Sequence, residues 1–347
     1  MSTKKIPTFK SGFLFNKKFS TLFKMFQTEV NTFFQGMDHP LWALFMQGVS
    51  EFGTLSVLLF FILFFLFAVD FRKGFIALQA LFWANIITLW LKDLIAYPRP
   101  WQVDEGLSVF KSVGDQLRLI KGGADSFFSE LPQESLLKLR AAGYTDFGVP
   151  SGHTSLAASY WGSIAILFKK KWLTVLVVIF VVLTMISRIY LAQHFMADVL
   201  AGLIIGLMPL FFVYRWVEKK GFSGFWTRID IRRNGQWAFF FLAPLVLLFV
   251  PRMPVVTIGP LMGLNLGAWL VCRKGFPDSA NVWWKRALRL GLAIVLFILS
   301  NILMGKLIPE AESFSKQLLK PMAEMAITIG LATWLSLKLG LFRTTLQ

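Results

Sequence analysis

Apolar residues in this chain gather into nine long runs separated by short polar stretches, near 53–69, 74–91, 153–168, 172–187, 194–214, 236–250, 255–272, 288–305 and 321–341. A helix of about 20 residues crosses roughly 30 Å of hydrocarbon. The pattern therefore predicts an all-α fold, a polytopic membrane helix bundle of about nine transmembrane helices. Ahead of them, Leu22, Phe26, Val30, Phe33 and Met37 recur at helical spacing with Lys24, Gln27, Thr28 and Asn31 between them. That predicts an N-terminal amphipathic helix over 20–37 in the membrane interface, with a cytosolic helix packed on the loops as the equal alternative. The one long polar excursion, 101–147, contains "DSFFSELPQESLLKLRAAGYTDFG", patterned like one or two short amphipathic helices ending at Gly143. The expected organisation is a basic N-terminal segment with its interfacial helix over 1–52, a helix bundle over 53–235 with the outward loop 101–147, and a four-helix membrane extension over 236–347.

Composition agrees with a membrane protein. Of 347 residues, 56% are hydrophobic and 16% charged, and the mean hydropathy is +0.61, above the range of soluble domains. Lys4, Lys5, Lys10, Lys17 and Lys18 precede no compact apolar core with a small-residue cleavage site, so a removable signal peptide is not expected and the first span serves as signal. Cys272 is the single cysteine, which excludes an intrachain disulfide and a cysteine-rich metal site.

A net charge of +17 raises the question of nucleic acid, and its distribution answers it. Lys169, Lys170 and Lys171 fill one connection. Arg215, Lys219, Lys220, Arg228, Arg232 and Arg233 fill a second, and Arg273, Lys274, Lys285, Arg286 and Arg289 a third. These alternate with connections in which acids match or outnumber bases, the positive-inside pattern. No basic run is interleaved with exposed aromatics, so no nucleic-acid partner is expected. On this pattern the N-terminus lies outside, against the trend of its lysines, and the C-terminus with Lys338 and Arg343 lies inside. The connection 92–152, the end of the fourth span near Ser187 and the turn Pro251–Pro254 then share the outward face.

Three polar stretches fall on that face. In "LWLKDLIAYPRPW", Lys92 and Arg99 are seven apart, two helical turns, on one face until Pro98 and Pro100 stop the helix; snorkelling cations are the plain alternative. In "GVPSGHTSLAASYWG", Pro150 sets a helix start, Ser151 is a cap residue, Gly152 leaves the backbone bare, and His153 sits in the first turn. Such a start gathers N–H groups and a positive dipole end suited to an anion; a capped helix with an interfacial histidine is the plain alternative. In "SRIYLAQHFMADVL", His194 and Asp198 stand at i and i+4 on one face of the fifth span, with Ser187 and Arg188 upstream. A carboxylate there holds one ring nitrogen as N–H and leaves the other as a basic lone pair. His153, His194 and Asp198 also make a conceivable metal set, but Lys92, Arg99 and Arg188 on the same face repel a metal and attract a dianion.

Taken together, Lys92 with Arg99-Pro100, then Pro150-Ser151-Gly152-His153, then Ser187-Arg188 with His194 and Asp198, resemble the three signature motifs of the type 2 phosphatidic acid phosphatase superfamily, in order and with its spacings. The resemblance covers about 53–214, and the nine-span layout is similar to the glucose-6-phosphatase and sphingosine-phosphate phosphatase branch. It implies a metal-independent phosphatase without cofactor, acting through a phosphohistidine: His194 as nucleophile, Asp198 orienting it, His153 as acid and then base. Lys92, Arg99, Arg188, Ser151 and the Gly152 N–H would bind the phosphate. The implied substrate is a lipid phosphate or pyrophosphate in the bilayer (polyprenyl, sphingoid or glycerolipid), with a sugar phosphate as the alternative. Vanadium haloperoxidases resemble the same motifs but are soluble. Among the later spans, Asn265, Asn301 and Glu324 are expected to bond neighbouring helices rather than line a path, and Trp283 and Trp284 to anchor at the interface.

The charge pattern makes a topological prediction for an integral, multi-pass protein of a plasma or bacterial inner membrane whose site faces the periplasm, outside or lumen. A cysteine placed in 101–147 should react with an impermeant reagent from that side, and one in 221–235 should not. The reverse labelling would put the site in the cytoplasm.

Overall fold

The computed structural model describes residues 26–37, 39–108, 137, 147–226, 234–272, 277–279, 282–308 and 313–344. In order these form α1 (Glu29–Gln35), α2 (Pro40–Glu51), α3 (Leu55–Leu63) running into a π-helical segment (Phe64–Val69), α4 (Phe71–Ile95) and α5 (Pro100–Val103). There follow α6 (Gly152–Phe168), α7 (Lys171–Tyr190), α8 (Met196–Trp226), α9 (Asn234–Leu247) and α10 (Val255–Cys272). The chain closes with β1 (Pro277–Ser279), α11 (Trp283–Leu307), α12 (Phe314–Lys338) and β2 (Phe342–Thr344), the two short strands pairing antiparallel.

Six helices among the described residues are long and apolar enough to cross a membrane, rather than the nine expected: those over Phe71–Val103, Lys171–Tyr190, Met196–Arg215, Val255–Cys272, Trp283–Leu307 and Phe314–Lys338. The other three expected spans form shorter helices. The run at 53–69 widens into the π-helical segment after nine α-helical residues. The run at 153–168 ends at a left-handed Lys169 after 17 residues, and the run at 236–250 gives only 14 helical residues. At 1.5 Å per residue the last two reach about 25 Å and about 21 Å, short of a bilayer core. The nine-span layout, and the branch it suggested, therefore do not follow from the described residues. A multi-pass membrane bundle does.

The N-terminal expectation changes as well. Residues 20–25 lie outside the described residues, and the helix is the seven-residue α1 rather than a long interfacial one. Its Asn31 is fully buried against the end of α7. Most of the excursion, 109–136 and 138–146, lies outside the described residues, including nearly all of the expected amphipathic helices.

Glycines set how closely the helices meet. A Cβ on Gly202 of α8 would collide with the Ser151 carbonyl, and one on Gly206 would lie 2.6 Å from the Ser155 carbonyl. Four positions apart, these two glycines form a small-residue face on which α6 rests. Gly259, Gly263 and Gly267 do the same for α10 against α12, meeting the backbone at Leu318, Met322 and Ala326. Polar side chains join the two groups of helices: Gln79 of α4 donates to Asn265 Oδ1, and Asn265 Nδ2 donates to the Phe240 carbonyl of α9 at 2.8 Å. Asn265 thus bonds neighbouring helices as expected. Asn301, in contrast, is exposed, and among the described residues it bonds the Phe297 carbonyl of its own helix, 2.9 Å away.

Filling the α6–α8 contact should be costly. Gly202→Val is expected to lower the unfolding midpoint in detergent by roughly 3–10 °C through overpacking. Gly291→Ala, where nothing lies within 4 Å, should leave it unchanged or raise it. A melt that does not separate the two variants would refute this packing account.

Candidate active site

The site forms where α4, α6, α7 and α8 end together. α4 stops at Ile95 because Ala96 turns left-handed (φ 50°), and Arg99 follows in extended backbone. Lys92 and Arg99 are therefore not on one helical face, as the seven-residue spacing suggested; a turn with two prolines brings the arginine back. Lys92 Nζ donates to the carbonyls of Phe147 (2.6 Å) and Gly148 (3.3 Å). Arg99 donates through one terminal nitrogen to the carbonyl and the side-chain oxygen of Gln193, at 3.0 and 3.2 Å.

The second stretch enters α6 through a cis Val149–Pro150 bond. Ser151 occupies the N-cap position, but its hydroxyl makes no cap bond; it accepts from Thr154 Oγ1 at 3.1 Å instead. Its backbone N–H donates to the Asp198 carbonyl at 2.9 Å, so the start of α6 is tied to the third stretch. A Cβ on Gly152 would meet only Thr88 Cγ2, 3.9 Å away, and the protein leaves that backbone uncovered. Thr88 bonds Ser155 at 2.7 Å, and Ser155 Oγ donates to the Gly152 carbonyl at 3.0 Å, locking α4 to this turn. His153 is half-buried, and a Cβ on Gly53 would lie 3.2 Å from its Cδ2.

In the third stretch the helix begins at Met196, so His194 lies in the loop before α8 and only Asp198 is helical, in its first turn. Both histidine and carboxylate are buried. Asp198 Oδ2 accepts the Phe195 N–H at 3.0 Å, in the manner of an acidic third residue closing a helix start. The same oxygen lies 3.1 Å from His194 Nδ1. A carboxylate only accepts, so Nδ1 carries the proton and Nε2 keeps the lone pair.

Burial first, then the fields of Arg99, Lys92, Arg188 and His153, hold the His194 imidazolium well below its ordinary pKa of 6.5. The imidazole is neutral at pH 7. Because the folded value is depressed, its contribution to stability is present above 6.5 and is lost as pH falls toward the folded value. The same fields show that all three cations and both histidines converge. Arg99 and Arg188 are each only 7% exposed, which strengthens their pull on an anion. Arg188 donates to Ser50 Oγ at 2.6 Å, and Ser187 Oγ to the Met46 carbonyl at 2.6 Å.

Lys92, Arg99, Ser151, Gly152, His153, Arg188, His194 and Asp198 thus meet at one end of the bundle. Among the described residues no three His, Cys, Asp or Glu side chains are grouped as metal ligands, and the cationic surround suits a phosphate-like dianion. Sequence reading missed Gln193, Thr88, Gln102 and Ser50. Two of these carried a signal. Gln102 stands three residues after Arg99 and accepts its N–H at 2.7 Å, a capping-box spacing; Thr88 lies one turn before Lys92 on the same helix.

Residues 73–222, less than half of the chain, contain the whole constellation and match the PAP2 superfamily. Phosphatidylglycerophosphatase B of Bacillus subtilis (strain 168) is 29% identical over 133 residues, 34% of this chain and 65% of the relative's length. Two crystal structures share the match over 55% of this chain: Aquifex aeolicus LpxE, at 20% identity, 94% of its chain and a TM-score of 0.42, and a transmembrane PAP2-type phosphatidylglycerolphosphate phosphatase from Bacillus subtilis, at 22% identity, 84% of its chain and a TM-score of 0.41.

An anion cradle of this kind should bind a tetrahedral or trigonal oxyanion whatever the natural substrate. Orthovanadate is expected to raise the unfolding midpoint of the purified protein. The rise should vanish in Arg188→Gln and persist in Lys170→Gln. Equal shifts in both variants would place the anion elsewhere.

Proposed function

We propose that this protein is a metal-independent membrane phosphatase that hydrolyses a lipid phosphate or pyrophosphate through a phosphohistidine. The observation that carries the reading is the buried His194 imidazole 3.1 Å from Asp198 Oδ2, in a site shared with Lys92, Arg99 and Arg188. In the proposed reaction His194 Nε2 attacks phosphorus while His153, protonated, gives its proton to the leaving oxygen as the P–O bond breaks. His153 then takes a proton from water, whose oxygen attacks the phosphohistidine and breaks the P–N bond. Lys92, Arg99, Arg188, Ser151 and the Gly152 N–H would bind the equatorial oxygens, where charge spreads in the transition state.

A lipid is favoured over a sugar because the reacting groups sit beside the ends of helices long and apolar enough to cross a membrane, which would bring them near phospholipid head groups. A lipid reaches them by diffusing sideways with its tail still among acyl chains. The relative named phosphatidylglycerophosphatase supports the same choice. The outward orientation is supported by charge: the helix ends opposite the site carry Lys169, Lys170, Lys171, Lys285, Arg286 and Lys338.

Phosphate release in mixed micelles tests the reading. Polyprenyl, sphingoid or glycerolipid phosphates should be turned over with EDTA present, at a rate that follows their mole fraction, and the acid limb of kcat/KM set by His194 should lie below pH 6.5. His194→Ala should abolish both turnover and acid-quenched phosphoenzyme. His153→Ala should retain some phosphoenzyme with a leaving group that needs no proton. Phosphoenzyme in the His194 variant would overturn the nucleophile; faster, dilution-insensitive release from glucose 6-phosphate would replace the lipid with a sugar.

A further inference from the structure

The loop 191–195 that carries His194 is held from outside the segment that matches the family. α7 ends at Tyr190, and its last carbonyls have no helical N–H to accept, as at any helix C-terminus. The loop folds back through a left-handed Ala192 (φ 53°), and the Gln193 and His194 N–H groups both donate to the Arg188 carbonyl, at 3.1 and 3.2 Å. The Ile189 carbonyl takes the Ala192 N–H at 3.0 Å, and α1 adds side-chain donors to the carbonyls of Ile189, Tyr190 and His194. Asn31 Nδ2 donates to Ile189 O at 2.8 Å and to His194 O at 3.1 Å. Gln35, one turn on, donates from Nε2 to Tyr190 O at 2.8 Å.

We propose that Asn31 is a positioning residue: its side-chain amide spans the end of α7 and the His194 carbonyl, and so fixes the loop that presents the nucleophile. The role in turnover rests on the phosphatase reading above. Asn31 is fully buried, and both its N–H donors are used on carbonyls that flank the loop. The opposite amide orientation would set Oδ1 against two carbonyl oxygens, so the donors must face the loop. Oδ1 itself has no partner among the described residues, and the side chain is kept for what its nitrogen does. Around it the clamp continues through Met46 and Ser50, which accept hydrogen bonds from Ser187 and Arg188. Without the Asn31 bridge the His194 backbone is free to drift while Asp198 still holds the ring. Displacements of about 1 Å at a reacting group cost up to about 100-fold in rate.

The test uses the full chain in detergent, with two readouts. In Asn31→Asp, which keeps the shape and removes both donors, and in Asn31→Ala, hydrogen exchange over 191–195 should quicken at least about tenfold while 255–272 is unchanged. Turnover should fall about tenfold to a hundredfold in kcat, with KM within about twofold. Gln35→Ala, at a half-buried position, should give a smaller change of the same kind and serves if the Asn31 variants do not fold. Unchanged exchange over 191–195, or unchanged kcat with quickened exchange, overturns the proposal. A wild-type protein that releases no phosphate from any substrate would sink the phosphatase reading instead, and exchange alone would then decide whether Asn31 fixes the loop.

Discussion

Asp198 is the point on which the site's geometry turns. One carboxylate oxygen accepts both the His194 ring proton and the Phe195 N–H, while its main-chain carbonyl accepts the Ser151 N–H. The same oxygen lies so near Gly148 that a Cβ there would approach it to 2.9 Å. Gly148 in turn donates its N–H to the Tyr97 carbonyl at 2.7 Å, within the turn that aims Arg99 and two residues before it. His194, the start of α6 and the arginine turn are thus registered against one buried residue. Its burial is also what makes the arrangement strict, since a carboxylate removed from water must keep every donor it has.

Helix packing brings these ends to a common level. α6 can lie on α8 only because Gly202 and Gly206 leave the backbone bare, and Gly202 faces the carbonyl of Ser151 itself. Close approach of two helices and placement of Ser151 are therefore one constraint. The C-terminal helices repeat the device at Gly259, Gly263 and Gly267, away from the site. Arg289 of α11 fastens that part to the rest: fully buried, it donates to Phe67 O at 2.6 Å in the π-helical segment and to Leu341 O at 2.8 Å. Its guanidinium also lies over the Phe342 ring.

The candidate site residues were legible in the chain, and the backbone that brings them together was not. His153, His194, Asp198 and the three cations stood out because the chain has three histidines, and two of them fall in the polar stretches that hold a carboxylate and the cations at the ends of apolar runs. Their positions depended on dihedral choices that no spacing encodes. Ala96 and Ala192 both adopt left-handed conformations, although alanine is a strong helix former; the first took Arg99 off the face of Lys92, and the second put His194 ahead of its helix. Ser151 had the composition of a cap, yet its hydroxyl found a nearer partner in Thr154. Span counting failed where helices ended early, at Lys169 and at Leu247, since hydropathy continues past a helix end.

Long-range side-chain bonds to main-chain oxygens leave least trace in a sequence. Asn31 is 158 residues from Ile189 and 163 from His194, and nothing about an asparagine within an amphipathic pattern announces that its partners are there. The contacts nevertheless have a common cause. A loop that presents a nucleophile between two helices exposes the unsatisfied carbonyls of the first, and in a membrane bundle few waters are at hand to satisfy them. Some element must cover that end. Here it is the short α1, while α2 holds Arg188 through Ser50. Both helices precede the matched segment 73–222, so the rigidity of the constellation depends on residues that lie outside the region where its family resemblance is found.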